Sequence, residues 1–570
     1  MNKFSLLLST CLVFGTLGAT PPAHAQGVAG AYLAGRSAGI EGDYAAAAKY
    51  YTEALARDPG NAALMENVVL AQIALGQIDR AVPVARMLAD GGIASQIGNM
   101  ALISGLAKAG EYDEIQSRID DKKGIGPLVD GLLAAWSSYG LGDMSGALEG
   151  FDAVAADDTL RAFGLYHKAL AYAAVGDMES PAELFEAPEN GLTMTRRGAI
   201  AHIEILSQLE QNEKAIEVMD SSFGADLDPG LADMRARLVA GEMLSFDQVR
   251  SAQDGMAEVS YSIGSALNRE ADQDYILLYA RMAEYLRPDH IDAVLMTAGL
   301  LESLGRYDLA VQTYAKVPND SFAFYAAELG RADSLRKSGK VEAAIEVLRG
   351  LTRSHPDIPS VHTTLADVMR QEENYQAAIE SYDTALSLYD DLKPAQWFIL
   401  YARAIAKERS GQWDGAEADF RAALELNPDQ PQVMNYLGYS LVEKQQKLDE
   451  ALDLITRAVA AEPDSGYIVD SLGWVQYRLG RYEEAVVNME RAAELMAVDP
   501  VVNDHLGDVL WAVGRTLEAE FQWRRALSFI TEDSDLDEIK PDRIRRKLEV
   551  GLDEVLKEEG APPLKVANDG

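Results

Sequence analysis

Few residues in this chain have the spacing that catalysis needs. Gly35-Arg36-Ser37-Ala38-Gly39 has the G-x-S-x-G order of a nucleophile elbow, which presents a serine hydroxyl on a strained strand-to-helix turn above a sheet. The pattern around Ser37 is helical and no sheet is expected, so Ser37 reads as a helix residue. Asp533-Ser534-Asp535-Leu536-Asp537 begins like a calcium loop. Glu538 stands where the loop needs glycine for its sharp turn, and Ile544 where it needs a bidentate glutamate. The segment reads as an acidic linker. Ser338-Gly339-Lys340 is followed by Val341 and lacks the upstream glycine of a phosphate-binding loop. The histidines show no H-E-x-x-H or other ligand pairing; His505, within Asp504-His505-Leu506-Gly507-Asp508, is the one in a charged setting. The expectation is a protein without catalytic residues, metal or cofactor.

What positions these residues is a period. Leu472-Gly473, Gly480, Tyr482, Ala485, Met489 and Ala492 return 34 residues later as Leu506-Gly507, Gly514, Thr516, Ala519, Trp523 and Ala526. Gly35, Gly42, Tyr44, Ala47, Tyr51, Ala54 and Pro59 keep the same spacing near the other end. Each unit has three small positions, occupied for example by Gly438, Gly473 and Gly507; by Ala47, Ala81, Ala310, Ala344, Ala378 and Ala416; and by Ala54, Ala385, Ala423 and Ala458. Small residues let two helices of one unit, A and B, approach closely. Large rings such as Tyr51, Phe151, Tyr314, Tyr382, Phe420 and Trp523 fill the space between them. Glycines such as Gly42, Gly76, Gly110, Gly142, Gly176, Gly305, Gly339 and Gly411 fall where helix A must end. Prolines such as Pro59, Pro288, Pro356, Pro428 and Pro463 stop helix B.

Counted along the chain, one step is anomalous: from His202 to Ile263 the period gives 61 residues, neither one unit nor two. Residues 223–256 therefore read as a degenerate repeat or hinge between an N-terminal lobe (26–222) and a C-terminal lobe (257–530). Smaller insertions fall at Asp391-Leu392-Lys393-Pro394 and Gln445-Gln446-Lys447. Residues 531–560, with Ile544, Leu548, Leu552, Val555 and Leu556 on one helical face, read as a capping helix, since a solenoid needs a polar-faced end. Residues 561–570 read as a loose tail.

The period and residue order resemble the tetratricopeptide repeat (TPR). The resemblance implies an all-α, right-handed solenoid of helix-turn-helix units whose concave wall is lined by the A helices. In the last three units that wall would carry Tyr436, Tyr439, Asp470, Trp474, Tyr477, Asp504, His505 and Trp511, the candidate partner-binding residues. Trp474 and Trp511 occupy positions that packing does not demand, and aromatic anchors beside acids suit an extended peptide. The same rings can instead fill the seam between successive A helices. The asparagine pair of the known carboxylate clamp is absent. The block Asn435-Tyr436-Leu437-Gly438-Tyr439, Leu448-Asp449-Glu450-Ala451, Asp470-Ser471-Leu472-Gly473-Trp474 and Asn503-Asp504-His505-Leu506-Gly507-Asp508 resembles exported proteobacterial TPR proteins, a group that includes the lipoprotein adaptor of a carboxyl-terminal processing protease.

Residues 1–25 have the form of a secretory signal peptide: Lys3, the apolar run Phe4 to Leu17, and Ala23-His24-Ala25 before Gln26. The expectation is a periplasmic protein cleaved after Ala25. The only cysteine, Cys11, lies in that segment. Thr10 before it and the apolar run beyond it argue against lipid anchoring. A formal charge of −39 disfavours nucleic acid and anionic membrane surfaces. It provides solubility for a long alanine-rich chain, or an acidic groove for a basic partner. No other segment approaches the roughly 18 apolar residues of a membrane span. Together these features lead to a non-enzymatic periplasmic scaffold or adaptor for protein or peptide partners, possible partners including a basic protein or a carboxyl-terminal processing protease. The alternative is a structural subunit of an envelope machine for secretion, pilus assembly or polysaccharide export.

Overall fold

The computed structural model describes residues 28–187, 190–192, 195–224, 227–267, 270–531, 534, 536–561 and 564. The expected signal peptide with Cys11, Asp533 and Asp535 of the calcium-like run, and most of the expected tail lie outside the described residues. Among the described residues every regular element is a helix. The repeat chemistry holds at the positions that define it. Ala54, Ala81, Ala310, Ala344, Ala378, Ala416, Ala423 and Ala458 are fully buried. A Cβ at Gly473 would lie 2.7 Å from Met489, and one at Gly507 2.4 Å from the Trp523 ring, so any side chain there would push helix A off helix B.

The glycines closing helix A take the left-handed conformation, as at Gly176 (φ 88°) and Gly411 (φ 79°). One period later the same corner is made by Glu210 (φ 60°) and by Gln445 (φ 53°), so the turn persists where glycine is missing, at a cost of about 1 kcal/mol each.

The chain divides into two compact units, residues 1–347 and 348–570. The division falls within helix Val341–Ser354 and not at residues 223–256, where a hinge was expected. In the first unit six helix pairs follow one another, from Val28–Glu41 with Tyr44–Leu55 to Arg196–Gln208 with Asn212–Phe223. Helix Pro229–Val239 and the first residues of helix Ala252–Leu267 occupy the expected hinge. The long helices Ala252–Leu267 and Gln273–Leu286 come next, and these do not simply continue the stack. Ala252–Leu267 packs on the A helices Gln96–Ala109, Pro127–Gly140 and Arg161–Ala174, and Gln273–Leu286 on Ala62–Ala74 and Gln96–Ala109. The 61-residue step is therefore the length of chain that turns back over the face lined by earlier A helices. The expected start of a C-terminal lobe at residue 257 lies inside this returning segment.

Close approach and polar bonds fix the returning helices. Gly255 is pressed to the Trp136 ring, where a Cβ would lie 2.3 Å away. Trp136 Nε1 donates to His167 Nδ1 (3.2 Å), which leaves His167 Nε2 to donate to Ser262 Oγ (3.3 Å); burial lowers His167 to about 4 and keeps it neutral. Arg281 Nε donates to the Ala74 carbonyl (3.0 Å), Lys108 Nζ to the Tyr285 carbonyl (3.0 Å), and the Tyr44 hydroxyl to Asp274.

At the centre is Glu258, 1% exposed. Its carboxylate accepts from Arg197 (2.7 and 2.8 Å), from the Tyr166 hydroxyl (2.9 Å) and from His290 Nε2 (3.1 Å). His290 Nδ1 accepts from Ala293 N and so caps helix Ile291–Ser303, which places the ring proton on Nε2. Burial alone would raise the Glu258 carboxyl. The Arg197 guanidinium and the His290 bond override it and hold the group well below the usual carboxylate range.

The second unit repeats the pair from Pro359–Gln371 with Tyr375–Ser387 to Pro500–Ala512 with Thr516–Ser528. The insertion at 391–394 leads into a 3-10 turn, Pro394–Gln396, and the one at 445–447 places Lys447 at φ 46°. The expected single capping helix is broken: Gly551, at φ 84°, separates Pro541–Val550 from Leu552–Glu558. Both pieces still cap, because Ile544 and Leu552 are fully buried in the cluster that contains Leu510 and Trp523.

Replacing Glu258 with Gln removes the buried anion that Arg197 and His290 share, leaves Arg197 only Asp292, and costs about 3 kcal/mol of the first unit's stability. The depressed carboxyl contributes fully above its unfolded pKa of about 4.3 and is lost as pH falls below it. Urea unfolding at pH 7 and pH 3.5 should therefore separate wild type from Glu258→Gln by less at the lower pH.

Candidate functional site

The candidate residues of the second unit lie on consecutive A helices, Pro431–Glu443, Gly466–Arg478 and Pro500–Ala512. Four of them form one cluster. The Trp474 ring stacks on His505 of the next repeat (4.1 Å between centroids, 15°) and on Tyr477 (5.0 Å, 20°). Its Nε1 donates to Glu443 of the preceding repeat (2.8 Å). His505 Nδ1 lies 2.9 Å from Asp470. Burial by itself would lower the imidazole pKa, but the carboxylates of Asp470, Asp504 and Asp508 raise it above its ordinary value.

The other acids meet a cation that sequence reasoning missed. Lys547 of the capping helix is 1% exposed and donates to Asp504 (2.7 and 2.8 Å) and Asp508 (2.5 Å). Asp508 also accepts from Trp523 Nε1 (2.9 Å) and pairs with Arg543 (3.3 Å). The available signal was the run Arg543, Arg545, Arg546, Lys547 in an otherwise acidic chain, facing a repeat with two inward acids.

Trp511 is drawn to the cap as well: its Nε1 donates to Asp553 (3.0 Å), and Gly551 lies against its ring. Tyr436 belongs to a separate aromatic group with Phe420 (5.2 Å) and Tyr401 (6.1 Å). Tyr439, half-buried, lies one turn along the same helix. Asp470, Tyr477 and Asp504 are buried, while Tyr436, Tyr439, Trp474, His505 and Trp511 are half-buried. Much of the ring area thus fills the seam between successive repeats. A cavity of about 290 Å³ remains, lined by Trp474, Tyr477, Tyr482, Arg478, Arg543 and Leu556. Its apolar walls with two guanidinium groups can hold one side chain of a partner, with polar contacts at the rim.

Tetratricopeptide-repeat family profiles match residues 40–90, 329–394, 401–466 and 442–500. The chain thus carries TPR repeats, and such repeats are protein-interaction scaffolds. A TPR repeat-containing protein of Pseudomonas aeruginosa, PA4667, is 29% identical over 201 residues, covering 35% of this chain and 33% of that protein. Human aspartyl/asparaginyl beta-hydroxylase is 26% identical over 211 residues, covering 35% of this chain and 27% of that protein. The chain thus spans a third or less of the length of these relatives. Among solved structures, the APC/C hetero-tetramer Cut9–Hcn1 aligns over 92% of this chain and 96% of that one, at 14% identity and a TM-score of 0.37. Among the described residues no helix is long and apolar enough to cross a membrane.

Two outcomes follow from the cluster. Lys547→Ala leaves Asp504 buried without its cation and Asp508 with Arg543 alone, and should cost the second unit about 3–5 kcal/mol, measured by urea unfolding. Trp474 emission should titrate with the stacked His505. Because the imidazole pKa is raised, the protonated, bonded form persists above pH 6.5 and is lost as pH rises through the folded value. Wild type should therefore show an emission step above pH 6.5 that His505→Gln removes and Asp470→Asn moves to lower pH.

Proposed function

We propose that this chain is an exported, non-enzymatic scaffold that recognises protein or peptide partners through the A-helix face of its second unit. In the finer form of this reading it is an adaptor that brings an envelope protease of the carboxyl-terminal processing class to its clients. The observation that carries it is the contrast between the two units. In the first, the A helices Ala62–Ala74, Gln96–Ala109, Pro127–Gly140 and Arg161–Ala174 are covered by helices Ala252–Leu267 and Gln273–Leu286. In the second, half-buried aromatic residues surround a cavity of about 290 Å³. Aromatic and arginine side chains at a partly open pocket are the residue types that dominate interface energies. The signal-like N-terminus, with Ala23-His24-Ala25 before Gln26, supports export, and the resemblance of residues 430–526 to exported TPR proteins supports the adaptor role.

The test is in-cell crosslinking of the full chain in a proteobacterial host, beside a Tyr439→Ala, Trp474→Ala variant of unchanged helicity. The partner recovered by wild type should fall about tenfold or more in the variant. Reconstituted with purified carboxyl-terminal processing protease, wild type should speed client cleavage and the variant should not. Equal recovery by both proteins would contradict recognition at this face, and unchanged cleavage would contradict the adaptor role.

A further inference from the structure

The returning helix Ala252–Leu267 does not fill the A-helix face of the first unit completely. Where its last two turns pass helix Arg161–Ala174 and the start of helix Arg196–Gln208, a cavity of about 430 Å³ is left, within the size range of small-molecule sites. Phe163, Tyr166, Leu192 and Tyr261 supply its apolar walls, and Ser265 and Arg196 its polar edge. Its floor is the buried ion cluster: the Tyr166 hydroxyl and Arg197 are held by Glu258, and Arg197 also pairs with Asp292 (2.7 Å). Every charged group of that floor thus has a partner.

Two groups at the cavity have binding capacity left over. Among the described residues the Tyr261 hydroxyl makes no hydrogen bond, although its ring lies against His290 (4.8 Å) and the Arg197 guanidinium (5.6 Å). Arg196 is half-exposed and, among the described residues, has one carboxylate neighbour, Asp228 at 2.7 Å, with the Phe223 ring 5.7 Å from its guanidinium. An exposed pair of this kind is worth about 0–1 kcal/mol, so an incoming anion can exchange for Asp228 at little cost.

We propose that this cavity is a binding site for a small amphipathic anion, with an aromatic or branched apolar body against Phe163, Leu192 and Tyr261 and a carboxylate or sulfonate at Arg196. Its volume suits a whole small molecule, whereas the smaller cavity beside Trp474 takes a single side chain.

The test uses the full chain and two fluorescent probes of similar size, anionic 1-anilinonaphthalene-8-sulfonate and neutral N-phenyl-1-naphthylamine. Ser265→Trp and Ala266→Trp, at exposed positions on the cavity edge, each fill it; circular dichroism and thermal unfolding confirm the fold, and either variant that folds suffices. Wild type should bind one probe per chain, and the filling variants should weaken both probes tenfold or more. Arg196→Gln should weaken the anionic probe about threefold or more and leave the neutral one unchanged. Absence of stoichiometric binding, or binding indifferent to the filling variants, would overturn the site. Equal weakening of both probes by Arg196→Gln would overturn the assignment of an anion.

Discussion

The architecture of the first unit depends on one buried carboxylate. Glu258 is taken out of water, and the donors that repay its desolvation come from three separate parts of the chain: Tyr166, Arg197 and His290. A buried charge persists only if all its partners are in place, so the network demands a single path for the segment between residues 240 and 290. That path lays Gly255 on Trp136 and brings Arg281 to the Ala74 carbonyl. A repeat array with nearest-neighbour contacts alone could have frayed or slid; here bonds spanning some 200 residues tie its early repeats to the returning helices.

Both units place a buried ion cluster where the regular stacking ends. In the second unit Lys547, held by Asp504 and Asp508, fastens the broken cap to the last repeat. Arg543 and the bond from Trp511 to Asp553 extend the fastening. The cap also borders the cavity beside Trp474 and Tyr477, to which it contributes Arg543 and Leu556.

Much of this was legible in the sequence, because the repeat is written in local terms. Glycine at Gly473 and Gly507 and alanine at Ala416 and Ala423 report helix-to-helix distance directly, and each is found where a larger side chain would collide or is fully buried. The break after His202 was legible as a break, but its cause was not. The contacts of Ala252–Leu267 are made with residues about 90 to 150 positions away, and no periodicity encodes them. The candidate site was partly legible for the same reason. Position within the repeat locates Trp474, Asp504 and Trp511, whereas their partners Glu443, Lys547 and Asp553 lie in neighbouring repeats or the cap. Whether a ring on the A helix faces solvent or a seam depends on those partners.

The central claim is that the A helices from Ala62–Ala74 to Arg161–Ala174 are covered by the chain's own returning helices. Hydrogen exchange of the full protein tests it most directly. Amides of Ala252–Leu267 and Gln273–Leu286 should exchange as slowly as those of Pro127–Gly140, the core helix they cover, since all three open only with the unit as a whole. Rapid exchange of the returning helices while Pro127–Gly140 stays protected would show that the segment detaches and the face is open, and would contradict the account.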